Sequence, residues 1–350
     1  MAQPTHQDVF MREVERLRAD YERQRETTNL VPPTGNPVYD LALDFVDGIV
    51  YHTYWYEIPD SNSSSSSSNP SQKGEDLGLK NRLQVIRLAD IAGTLSGEIL
   101  RLRQNIPDLD KTNDYEIVGD DIRQLELAPP LPADRDDSEN TGELLNSLPT
   151  VEVDPDVHFV KKGKYPSEIH NLLACQGGSC PGVPKSAHII QLLGKSSRDE
   201  LVFRKYNPRY VLALVHQLAT YKRWILQVID GLRCLHSLGI VHRDLRIDNL
   251  VFSPDNTEAV IIDLESRWGN RLAPEIARQP VLDAGWSQKS DIYDLGYLIK
   301  GMIYGNAPIT NLVEWPVPHP LDAVVKACTN ALPEKRPTLD ELAAMMDKIE

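Results

Sequence analysis

Three hundred and fifty residues exceed the roughly 100 to 200 of an ordinary domain, so the chain is expected to form one two-lobed unit or two domains. With 41% hydrophobic and 25% charged residues the composition is globular, and no apolar run approaches the roughly 18 residues of a membrane span, which excludes an integral membrane reading. The formal charge of -14 repels a phosphate backbone and argues against nucleic-acid binding, while four cysteines and the lack of an apolar leader point to a reducing, cytoplasmic or nuclear compartment.

Thr5 with Asp8 resembles a capping box, and Phe10, Val14, Leu17 and Tyr21 recur at helical spacing, predicting an amphipathic helix that ends near Asn29 and packs on its own domain. Residues 48–58 are rich in β-branched and aromatic side chains and predict a strand, followed by a serine-rich loop over 61–71. From 81 to 104, Val85, Leu88, Leu95, Ile99 and Leu102 fit a second helix, weakened by Gly93 and Gly97. Between Ile106 and His158 stand 15 acidic and 3 basic residues, so most of the chain's net charge sits there. The centre of that stretch, 128–143, is proline-rich and acidic with few apolar residues, and predicts a mobile loop.

The second half is more regular. Residues 151–162 alternate around Asp154-Pro155-Asp156 and predict a hairpin, with further strands at 188–193 and 201–204. Trp224, Ile225, Val228, Ile229, Leu232 and Leu235 mark one buried helix, Ile292, Leu295, Ile299 and Met302 another, and Thr338 with Glu341 caps a terminal one. Strands first and helices afterwards predict an α+β fold with a small β-rich lobe and a larger α-helical lobe. The division expected is an N-terminal extension over 1–112 and a two-lobed domain over 113–350, its small lobe reaching about 205 and its large lobe beginning at about 206.

Residues 235–252, LHSLGIVHRDLRIDNLVF, carry the sharpest chemical signal: a buried helix runs into a polar loop holding His242, Arg243, Asp244, Arg246 and Asn249. A carboxylate, a cation two residues on and a carboxamide five residues on can face one cleft, where a hydroxyl is deprotonated, a phosphoryl group neutralised and a metal held. The apolar strand 259–262 then delivers Asp263, a second oxygen ligand suited to a hard divalent cation. Cys175 and Cys180 lack the spacing of a zinc pair and read as part of a plain loop.

On these residues the chain resembles the eukaryotic protein kinase superfamily, well over 151–350 and weakly from about Tyr115. His242 to Asn249 matches the family's catalytic loop, which implies Asp244 as catalytic base, Arg246 beside it and Asn249 as a magnesium ligand; Asp263 matches the metal-binding Asp of the DFG motif. Ala273-Pro274-Glu275 matches the APE motif, Asp291 the residue that ties down the catalytic loop, and Arg336 the ion-pair partner of Glu275. The phosphate-holding lysine and its helix glutamate are assigned to Lys161 and Glu168. Alternation puts Val157, Phe159 and Lys161 on one strand face, and the seven-residue interval puts Glu168 in a helix's first turn.

Three departures stand beside the resemblance. No GxGxxG precedes Lys161, Asp263-Leu264-Glu265 replaces DFG, and only eleven residues separate Asp263 from Glu275, with Ser266 the sole hydroxyl among them. The resemblance implies ATP and magnesium as cofactors and transfer of a γ-phosphate to a protein hydroxyl, Ser/Thr rather than Tyr. The departures leave open a pseudokinase scaffold, for lack of a phosphate-cradling loop, and a small-molecule kinase, for the short activation segment. Neither a nucleic-acid nor a membrane partner is expected.

Overall fold

The computed structural model describes residues 6–27, 37–58, 82–91, 93–97, 107–131, 138–178, 180–267, 269, 271–277, 279, 283–305 and 313–349. The chain divides into two compact units, one of residues 1–21, 136–309 and 315–350, the other of residues 22–135 and 310–314. Both mix sheet and helix or loop, in keeping with an α+β fold. No helix among the described residues is long and apolar enough to cross a membrane.

The first helix, α1 (His6–Thr27), contributes its first part to the larger unit. Its predicted apolar stripe is buried: Phe10, Val14, Leu17 and Tyr21 are all under a tenth exposed. Phe10 meets Tyr221 at 5.9 Å and Tyr21 meets Tyr304 edge-on at 5.1 Å between ring centroids. Arg18 on the same helix donates to the carbonyls of Ile303 (2.6 Å), Ala213 (2.7 Å) and Leu212 (2.9 Å), satisfying backbone oxygens that helix ends leave without partners. The capping pair Thr5 and Asp8 is not described in full, since Thr5 lies outside the described residues.

The smaller unit is a five-stranded sheet in the order β1-β2-β3-β4-β5, from β1 (Pro37–Val46), β2 (Ile49–Glu57), β3 (Leu83–Ala89), β4 (Tyr115–Val118) and β5 (Asp121–Gln124). The strand expected at 48–58 is therefore β2. The helix expected over 81–104 is corrected: its first part is β3, and 98–104 lie outside the described residues. β3 is the central strand, antiparallel to β2 and parallel to β4, and five of its seven residues, on both faces, are buried, so its apolar run lacks the alternation that marks a half-exposed strand. Buried Gln84 holds the connection to β4, donating from Nε2 to the carbonyls of Asp110 (3.0 Å) and Asn113 (2.7 Å).

This pairing moves the expected boundary. β4 and β5 lie beyond residue 112 yet complete the smaller unit's sheet, and α1 lies before it yet packs in the larger unit, so residue 136, not 113, opens the main body of the two-lobed part. The serine-rich 61–71 stretch and residues 132–137 of the acidic stretch lie outside the described residues, while 142–147 form a short helix, α2 (Gly142–Ser147).

In the larger unit, β6 (His158–Lys162), β7 (Leu192–Lys195) and β8 (Glu200–Arg204) make a three-stranded antiparallel sheet in the order β6-β8-β7, with α3 (Pro166–Cys175) between β6 and β7 in sequence. The hairpin expected over 151–162 does not form, because its two arms pair elsewhere. Val151 donates to Lys195 at 2.8 Å, and β6 pairs with β8. Helices follow: α4 (Leu218–Ser237), the short α5 (Pro274–Ala277), α6 (Gln288–Tyr304), α7 (Leu321–Cys328) and α8 (Leu339–Asp347), with the hairpin of β9 (Leu250–Phe252) and β10 (Ala259–Ile261) after α4. All six apolar residues that predicted α4 are fully buried, and Thr338 and Glu341 form the expected capping box on α8.

Candidate active site

The polar loop after α4 is held from below by Asp291, fully buried on α6. Its carboxylate accepts the backbone N–H of His242 (2.9 Å) and of Arg243 (2.9 Å) and lies 2.8 Å from His236 Nε2. Two of these charge-assisted bonds fix the loop to α6, and the third ties the last turn of α4 to the same carboxylate. Arg243 adopts φ +74 there, a left-handed conformation that costs a non-glycine residue about 1–3 kcal/mol and persists only where the surroundings over-determine it. Its guanidinium pairs with Asp283 and lies 5.9 Å from the Trp286 ring, a partner that local spacing gave no means of finding.

Within the loop, Asn249 Nδ2 donates to both the backbone carbonyl and the carboxylate Oδ2 of Asp244, each at 2.8 Å. The amide nitrogen is thus committed to positioning Asp244, and the carboxamide oxygen is the atom left to a cation. Arg246, half-exposed, reaches Asp244 Oδ2 at 3.3 Å and Asp248 at 3.8 Å. The Ile262 N–H donates to the Asn249 carbonyl at 3.0 Å and the Ile262 carbonyl accepts from His242 Nε2 at 3.0 Å, which docks the strand end carrying Asp263 onto the loop.

On the sheet side, Lys161 projects from β6, and Glu168, the third residue of α3, is buried beneath it with its Oε1 accepting from Lys161 Nζ at 2.9 Å. The first-turn position therefore reaches. Lys161 also pairs with Asp263 and, at 3.2 Å, with Glu265, so three carboxylates surround one ammonium. Asp263 takes a left-handed φ of +64, and Asn171 of α3 ties down the following turn, donating to the Leu264 carbonyl (2.8 Å) and to Ser266 Oγ (3.1 Å). The role of Glu265 was not legible beforehand, because a residue two positions beyond Asp263 points wherever the turn sends it.

One cation shared among three acids leaves its mark on their protonation. Burial opposes the charge on Lys161, but the neighbouring Glu168 and Asp263 outweigh it and hold the ammonium's pKa above its ordinary value. Burial pushes the Glu168 carboxyl up to about 7 against the pull of Lys161, and the charges of Asp263 and Glu265 add to the rise. Glu265 is raised too, first by burial and then by Asp263.

Lys161, Glu168, Asn249 and Asp263 line one cavity of about 490 Å³ between the three-stranded sheet and the β9/β10 hairpin. Its remaining wall is largely apolar, with Phe159, Ile190, Phe203, Val251 and Ile262, none of which the sequence singled out as a site residue. Asn249 and Asp263 offer two oxygen donors at the polar end, a set that fits a hard divalent cation, and Glu168, Asp263 and Glu265 bring one oxygen each within 4.8 Å of one another. The six residues assigned to catalysis, phosphate and metal fall into two sets, each joined within itself, Lys161-Glu168-Asp263 and Asp244-Arg246-Asn249; Lys161, Glu168, Asn249 and Asp263 line the cavity, and Asp244 and Arg246 connect to it through Asn249. Below it, Arg336, fully buried, makes a two-pronged pair with Glu275 at 2.6 and 2.7 Å.

No protein-family model matches the sequence. Among curated proteins, the chain is 26% identical over 187 residues to a probable LIM domain-containing serine/threonine-protein kinase of Dictyostelium discoideum, covering 46% of this chain and 28% of that protein. It is 31% identical over 155 residues to the mitogen-activated protein kinase kinase kinase mkh1 of Cytospora mali (34% of this chain, 8% of that protein). It is also 31% identical over 157 residues to the serine/threonine-protein kinase BCK1/SLK1/SSP31 of Saccharomyces cerevisiae (35% and 10%). The chain thus spans under a third of the length of each of these relatives.

Proposed function

The chain is a divergent member of the protein kinase superfamily, and from that premise we propose that it is an ATP- and magnesium-dependent protein kinase that phosphorylates Ser or Thr hydroxyls of a protein substrate in a cytoplasmic or nuclear compartment. The observation that carries the reading is the Asp244-Asn249 pair, in a loop whose His242 and Arg243 amides are held by buried Asp291, with Asn249 lining a cavity that also holds Lys161, Glu168 and Asp263. In it Asp244 takes the proton of the attacking hydroxyl, held in orientation by the Asn249 amide. Arg246 sets a cation beside Asp244 where charge develops on the transferring group. Asn249 Oδ1 and the Asp263 carboxylate are the residues that would hold magnesium, which neutralises phosphate charge when bound. Lys161, oriented by Glu168, is the group that contacts the phosphates. The preference for Ser/Thr draws on the similarity to the serine/threonine-protein kinases of Dictyostelium discoideum and Saccharomyces cerevisiae.

A second reading, a pseudokinase scaffold, draws on a specific feature: the three carboxylates around Lys161 match its three N–H donors and compete with phosphate for them. Asp244→Asn separates the two. Under the enzyme reading this near-isosteric change lowers phosphoryl transfer at least about 100-fold while ATP binding and melting stay close to wild type. A folded variant with wild-type turnover refutes the role of Asp244, and a wild type without transfer favours the scaffold.

A further inference from the structure

A groove of about 1160 Å³ in the larger unit is lined by residues of α1, the start of α4, α7 and the end of α8, and by none of the residues assigned to catalysis, phosphate or metal. Its floor is apolar: Phe10, Val324 and Ile349 are each under a tenth exposed, while Val9 in the same lining is 51% exposed. Three cations, Arg12, Arg16 and Lys348, share the lining with one acid, Glu13. Arg16 pairs with Glu13 at 2.7 Å and, beyond the lining, with Asp20 at 2.6 Å. In a chain of formal charge -14, an apolar slot with net positive walls reverses the field of the whole and attracts an acidic segment that carries apolar side chains.

The smaller unit carries such a segment. β5 is the edge of its sheet, with all four residues exposed, and the chain after it runs Leu125-Glu126-Leu127-Ala128-Pro129-Pro130-Leu131. Leu127, at 87%, is the most exposed large apolar side chain among the described residues, and Leu131 and Ile122 are exposed as well. Asp120, Asp121 and Glu126 stand there against Arg123, and Asp134, Asp136 and Asp137 against Arg135 further on. The two prolines fix φ, and Trp55 Nε1 donates to the Pro129 carbonyl at 3.3 Å, so the segment is held in shape and loses little freedom on docking. We propose that the groove takes this segment from a second copy of the chain, Leu127 on the apolar floor and the acids towards Arg12 and Lys348. The contact joins two different surfaces and is therefore heterologous: reciprocal exchange closes a dimer, and one-way docking grows a row of copies. It gives a role to the acidic stretch, which phosphoryl transfer does not use, and it stands independently of that reading.

Sedimentation of the full chain over about 1–200 µM, the range of a weak contact, tests it. Wild type gains mass with concentration, and less so as salt rises. Leu127→Asp and Val9→Asp each change an exposed side chain, so both keep the wild-type melt, and each alone weakens self-association at least about tenfold. Mixed, the intact groove of Leu127→Asp takes the intact segment of Val9→Asp, and a one-to-one complex of twice the monomer mass forms. A wild type that stays monomeric throughout, either variant associating as wild type does, or a mixture that stays monomeric overturns the proposal. A monomer that binds only an added peptide of residues 120–131 overturns it too, because the occupant is then not a second copy.

Discussion

Glu265→Gln removes one negative charge from the cage around Lys161 without changing its shape. At an effective dielectric of about 20, the attraction of Glu265 for Lys161 at 3.2 Å is about 5 kcal/mol, whereas its repulsion by ionised Glu168 and Asp263, each within 4.8 Å, is at least about 3.5 kcal/mol apiece. The net is unfavourable by about 2 kcal/mol, trimmed to roughly 1–2 kcal/mol by partial exposure of Lys161 and Asp263, when both neighbours are charged. Glu168 decides the sign. Its folded pKa is raised to about 7 from an ordinary 4.5, so the stability it contributes is full below 4.5 and is lost as pH rises through about 7. Above pH 7 Glu265→Gln relieves part of that loss; towards pH 6, with Glu168 neutral, the attraction to Lys161 wins and the gain vanishes. Thermal melts across pH 6 to 8.5 are expected to show the variant about 2–8 °C above wild type at the alkaline end and no better at the acid end. A variant less stable than wild type at pH 8 refutes the shared-cation argument.

Arg336→Ala strands the Glu275 carboxylate and removes donors from the carbonyls of Asn330 and Lys289 at 2.8 Å each; a loss of about 3–5 kcal/mol is expected in denaturant unfolding, and unchanged stability would show the pair contributes nothing. Deleting residues 1–21 exposes Tyr221 and Tyr304 and leaves the carbonyls under Arg18 without their donor, so the truncated chain should melt well below wild type, whereas an unshifted melt means α1 is only an appendage.

The catalytic-loop residues were legible because they lie in one short stretch between apolar segments, where spacing alone puts a carboxylate, a cation and a carboxamide together. Lys161 was legible for a different reason: period-2 alternation fixes its face without knowledge of the partner strand. Non-local pairing hid the rest. β3 reads as a helix because residues on both its faces are buried and the period-2 signal is lost, and the parallel β3-β4 step assigns 115–124 to the smaller unit against the compositional boundary. Alternation placed Phe159 beside Lys161 but said nothing of whether another strand would cover it, and the left-handed turn at Asp263 that swings Glu265 onto Lys161 occurs at a residue whose type tolerates it without requiring it.

The central claim is that the cavity takes a nucleotide whose phosphates are held through a divalent cation at Asn249 and Asp263. Melting of the full chain with ATP, in magnesium and in EDTA, tests it most directly. At ligand a hundredfold above its dissociation constant the stabilisation is about 2.7 kcal/mol, predicted with magnesium, nearly absent in EDTA, and abolished by Asp263→Ala. No shift with millimolar ATP and magnesium, matched by no binding in a direct titration, would contradict the account and leave a scaffold in place of an enzyme.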